Sequence, residues 1–100
     1  MTRLDDVLGY LRQNRVQLRN RFHVKRIGVF GSLARGDATE QSDIDLIIEL
    51  DEDTHDIHGL KDELREFVGK PFGRRVDIAR EKYLRPYARR QILAEAVYVD

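Results

Sequence analysis

The chain has no cysteine, no net charge and only 2 prolines in its 100 residues. Without cysteine there are no disulfides, no thiolate nucleophile and no cysteine-built zinc site. No apolar run approaches the roughly 20 residues that a membrane span needs. The opening MTRLDDVLGYLRQ has no apolar signal core. Repeats, low-complexity tracts and a Pro/Gly/Ser linker are missing as well. These absences suggest one small cytoplasmic domain, residues 1–100. A domain of that size hides only about two-thirds of its unfolded surface, too little for a large cofactor cavity.

Charge is present in blocks although it sums to zero. Arg12, Arg15, Arg19, Arg21, Lys25 and Arg26 crowd the first third, Asp37 to Glu66 is acidic, and Lys70 to Arg90 is basic again. Such segregation suits a charged partner and an acidic centre that attracts cations. Zero net charge and that acidic centre speak against direct nucleic-acid binding.

Apolar periodicity through Leu4, Val7, Leu8, Leu11, Leu18 and Phe22 predicts a helix over about 3–21, with Thr2 and Asp5 spaced like a capping box. KRIGVF reads as a strand ending at Gly31, and SLARG as a helical turn stopped by Gly36. IDLIIEL is a second strand. A helix carrying Ile57, Leu60, Leu64, Phe67 and Val68 follows, broken by GKPFG, and RRVDIA is a third strand. Pro86 suits the first turn of a last helix, and VYV has the composition of a short closing strand. The expected fold is α+β, a three-stranded mixed sheet in the order helix-strand-helix-strand-helix-strand-helix.

Side chains alternate across a strand. In SDIDLIIEL, Asp43 and Asp45 therefore share one face, while Ile44, Leu46, Ile48 and Leu50 share the other. RRVDIA repeats the pattern with Asp77 opposite Val76 and Ile78. If the two strands are neighbours, three carboxylates converge. That is a poor structural feature and a good site for hard cations such as two Mg2+ ions, which would clamp an in-line phosphoryl displacement. The turn at Gly31 and Ser32 offers backbone N–H groups to a phosphate, and Arg35 either adds charge there or braces the loop through nearby acids. Gly-Ser alone is an ordinary turn, and Asp-x-Asp alone is the wet face of an edge strand. Their combination is far more specific.

Gly31-Ser32-x-x-Arg35-Gly36 followed by Ser42-Asp43-Ile44-Asp45-Leu46 resembles the signature of the DNA polymerase beta-type nucleotidyltransferase superfamily. GRRVDIAREKYLRPYARRQILAEAVYV is similar to the C-terminal pattern of one branch, the minimal nucleotidyltransferases that act as antitoxins in HEPN/MNT modules. The resemblance implies transfer of AMP from ATP to a tyrosine hydroxyl of a partner HEPN toxin, an RNase. It assigns metal binding to Asp43, Asp45 and Asp77, and triphosphate binding to Gly31 and Ser32. Two other functions stay open: an antitoxin that neutralises by binding alone, and a transferase subunit for a small hydroxylated molecule. Retention of all three carboxylates counts against the first, and the lack of an acceptor-binding domain against the second.

His55 and His58 sit at a charged helix start and read as solvated. Arg85, Arg89 and Arg90 form either a solvated stripe or a partner surface. Tyr83, Tyr87 and Tyr98 read as packing residues, and Phe30 and Phe67 as core candidates.

Overall fold

In the computed structural model, residues 2–99 are described. The chain runs α1 (Leu4–Gln13), α2 (Arg15–Asn20), β1 (Val24–Phe30), α3 (Gly31–Arg35), β2 (Ile44–Leu50), α4 (Ile57–Phe72), β3 (Val76–Arg80), a 3₁₀ turn (Glu81–Tyr83), α5 (Pro86–Glu95) and β4 (Val97–Val99). The sheet order is β3-β2-β1-β4. β2 pairs antiparallel with β1 and parallel with β3, and β4 pairs antiparallel with β1. The mixed α+β sheet therefore has four strands, not three. The extra one is admitted by Gly28, where a Cβ would stand 2.9 Å from the Val97 carbonyl oxygen and from the Tyr98 ring. A side chain there would push β4 away.

One face of the sheet carries the core. Ile44, Leu46 and Ile48 of β2 are fully buried beneath Val7 and Leu11 of α1, Phe22, and Leu64 and Val68 of α4. Phe67 packs its ring 5.1 Å from Phe22, while Phe30 is only half-buried. None of residues 81–99 is fully buried, so the C-terminal segment lies on the body rather than inside it. No helix among the described residues is long and apolar enough to cross a membrane.

Two local expectations change. The first helix breaks at Asn14, whose side-chain amide donates to the Tyr10 carbonyl at 2.8 Å and so competes with helical bonding. Its N-terminal box lies one residue later than expected: the Arg3 amide donates to the Asp6 carboxylate at 2.9 Å. Helix α4 ends inside GKPFG, at Phe72, but passes through Pro71 first. Proline has no N–H for the carbonyl four residues earlier, and that carbonyl, Phe67's, accepts the Tyr10 hydroxyl at 2.8 Å. A contact 57 residues away thus supplies the donor that proline lacks. The helix ends at Gly73 in the left-handed region, φ 61°.

Candidate active site

The site is built where β1 ends and β2 and β3 begin. Phe30 of β1 lies opposite Asp45 of β2, and Asp45 lies beside Asp77 of β3. The period of two sends Ile44 and Leu46 into the core and leaves Asp45 on the other face, half-buried. Asp77, on the sheet's edge strand, is exposed between buried Val76 and Ile78. Asp43 is exposed in the segment entering β2. Arg74 braces that segment by donating to the Thr39 and Ser42 carbonyls at 2.8 and 2.9 Å. The Ile44 amide bonds the Arg75 carbonyl at 2.9 Å and fixes the register of the two acidic strands.

Asp45 is electrostatically the most perturbed of the three. Its carboxyl is pushed up to about 6, first by burial, then by the charges of Asp77 and Asp43; Arg35 opposes the shift, and Glu95 adds a little. The carboxylates thus feel one another. Even so, among the described residues no three His, Asp or Glu side chains are gathered tightly enough, as they stand, to enclose a cation.

Gly31 begins α3 at φ 77°, a conformation L side chains rarely adopt, and a Cβ there would overlap the Asp45 carboxylate. The turn therefore lies directly against the acidic strand. Ser32 follows on α3, which Gly36 ends at φ 86°. Arg35 braces rather than stands free: its Nε donates to Asp37 Oδ2 at 3.3 Å and its Nη1 to both Glu95 oxygens at 3.3 Å. Glu95 Oε1 also accepts the Gly31 amide at 3.0 Å. Sequence reading placed Glu95 in the closing pattern but gave it no role at the site, since 64 residues separate it from Gly31. Arg74 was missed for a similar reason.

The remaining candidates lie elsewhere. His55 and His58 are exposed at the start of α4. Arg89 donates to the Glu81 carbonyl at 2.8 Å, holding the 3₁₀ turn, whereas Arg85 and Arg90 are exposed. Tyr83 and Tyr87 are exposed rather than packed, at 64% and 80%. Tyr98 does pack, with Arg26 3.7 Å above its ring.

A glycine turn in contact with the first of two paired strand carboxylates suits transfer of a phosphorylated group. The nucleotidyltransferase domain model matches residues 11–99, which include every one of these elements. The chain belongs to the nucleotidyltransferase domain family. Protein adenylyltransferase MntA of Thermococcus cleftensis is 35% identical over 99% of this chain and 98% of its own length. Among solved structures, a toxin–antitoxin with AMP-PNP superposes with TM-score 0.66 at 18% identity, covering 86% of this chain and 69% of that one. A tri-AMPylated Shewanella oneidensis HEPN toxin in complex with MNT antitoxin gives TM-score 0.60 at 15% identity, covering 91% and 70%. At those identities the two superpositions speak for the fold.

Proposed function

We propose that this chain is an antitoxin nucleotidyltransferase that moves AMP from ATP onto a tyrosine hydroxyl of a partner HEPN toxin and so neutralises it. The observation that carries the reading is the register of Asp45 beside Asp77 against the Gly31 turn, in a chain that aligns end to end with a protein adenylyltransferase. In the reaction the tyrosine oxygen attacks the α-phosphorus and forms a new P–O bond. The bond from that phosphorus to the bridging oxygen breaks, pyrophosphate leaves, and the hydroxyl proton is lost.

Each group has a role set by its place. The turn that Gly31 opens receives the triphosphate at Ser32, while the Gly31 amide itself is held by Glu95. Asp77, exposed on the edge strand, meets the acceptor from the open side and aligns its hydroxyl, so that proximity supplies much of the rate. Arg35, held by Asp37 and Glu95, keeps the turn in shape.

The donor set fits magnesium. Asp43, Asp45 and Asp77 supply only hard oxygen ligands, and among the described residues Asp45 makes no salt bridge, while Arg35 pairs with Asp37 and Glu95. Asp43 and Asp45 would hold both ions and Asp77 would complete one. Magnesium, when bound, supplies positive charge where the triphosphate and the leaving oxygen carry negative charge.

The test is the intact mass of a HEPN-type protein co-expressed with this chain, with and without ATP and magnesium. Added adenylate that disappears in Asp43→Ala supports the reading. A stable complex with no added mass favours neutralisation by binding alone.

A further inference from the structure

Glu95 makes three polar contacts, all across the fold. Its Oε1 accepts the Gly31 amide at 3.0 Å, and both oxygens accept Arg35 Nη1 at 3.3 Å. Its side chain is only 15% exposed, although it ends a helix that buries no residue completely. The carboxylate therefore sits between the C-terminus of α5 and the start of α3. The residues it grips are the ones whose placement matters. Gly31 leaves no room for a Cβ beside Asp45, so a rotation of this turn changes the distance from Asp45 to Ser32. Arg35, if released, is the cation nearest to hand for the acidic strand.

We infer that Glu95 is a positioning residue of the nucleotide site, tying α5 to the Gly31 turn and anchoring Arg35 beside it. The inference rests on the transferase reading and adds to it a residue whose own carboxylate touches neither acceptor nor metal. Because it accepts the Gly31 amide, that N–H is not a phosphate donor while the tie is made. The triphosphate is then left to Ser32 and to the amides that follow. A tie of this kind acts on binding geometry and not on the chemical step.

The test uses the full chain and AMP-PNP with magnesium as the probe, titrated calorimetrically, with exchange of the Gly31 amide followed by NMR. Glu95→Ala is expected to weaken AMP-PNP about tenfold, the scale of one hydrogen bond to a charged group. It should also speed Gly31 exchange by at least about tenfold. Glu95→Gln keeps an acceptor for Gly31 and should stay within about threefold of the parent, which also carries the test if the alanine variant fails to fold. Unchanged affinity in Glu95→Ala with a lowered melting temperature would make the tie merely structural and overturn the inference. Tighter binding would overturn it too, since the carboxylate would then be competing with phosphate. If the unaltered chain fails to bind AMP-PNP, the nucleotide reading falls first and takes this assignment with it.

Discussion

The two faces of β2 are built by opposite rules. Ile44, Leu46 and Ile48 face helices and lose all contact with water, while Asp45, between the first two, is held half-buried against a second acid with no cation paired to it. The first face follows the ordinary economy of folding, in which apolar area removed from water stabilises by about 25 cal/mol per Å². On the second face, folding brings like charges together, which costs stability. Stability and chemistry thus share one seven-residue strand, with alternation strict around Asp45 and lost at Ile47, which lies on the Asp45 face and is also fully buried. Substitutions on the two faces should separate them.

The largest effect is expected on the acidic face. Asp45→Ala should lower transfer to a HEPN acceptor by about a thousandfold or more, on the scale of losing a group that acts in the transition state. Its melting temperature should not fall. An unfolded Asp45→Ala protein, or one with full transfer, would contradict the division between the faces. On the apolar side, Leu64→Ala should cost about 2–5 kcal/mol, because α4 packs this fully buried side chain into the core and cannot collapse around the gap. Urea unfolding measures it; a loss under about 1 kcal/mol would mean that the core tolerates a cavity there.

A smaller effect concerns the proline in α4. Tyr10→Phe removes the hydroxyl that fills the Phe67 carbonyl and should cost about 1–2 kcal/mol while keeping the ring's contacts with Phe67 and Phe72. Combining it with Pro71→Ala, which restores a helical N–H, should recover part of that loss. Strict additivity of the two changes would show that the hydroxyl and the proline are not linked.

This pair also shows what sequence reading can and cannot reach. Local chemistry says that proline leaves one helical carbonyl without its donor, and that carbonyl is filled by a hydroxyl 57 residues away. The faces of IDLIIEL, the turn at Gly31 and the stop at Gly36 were legible because alternation and left-handed glycines are local properties. The break at Asn14 was present in the sequence as an amide able to compete for a helical carbonyl, but a long apolar stripe outweighed it. β4 has three residues, too few for a period, and its place was marked only by Gly28 on another strand. Arg74 and Glu95 lie within the C-terminal pattern but escaped as site residues for the same reason: each touches its site across the fold. Exposed Tyr83 and Tyr87 show the converse error, since aromatic content suggested packing that tertiary context does not supply.

The smallest predicted effect goes in the opposite direction to the others. Asp45 ionises near 6 when folded and near 3.8 ordinarily, so its charged form is less favourable in the native state than in the unfolded chain. The sign follows. Well below 3.8 the carboxyl is neutral in both states and nothing is lost; from there to about 6 stability falls, and above 6 the full penalty remains. Undiscounted, a shift of this size would be worth about 3 kcal/mol, but the group is half-exposed and solvent screens it, leaving about 1 kcal/mol. Asp45→Asn should therefore be more stable than the parent by about that amount at pH 8 and equal to it at about pH 3. Melts at the two pH values without ligand decide the matter. A variant less stable than the parent at pH 8 would mean that the acidic face contributes to folding after all. If Asn is stabilising only at the higher pH, the strand gives up stability to keep a charge at Asp45, and a cation that binds there should restore it in the parent but not in the variant.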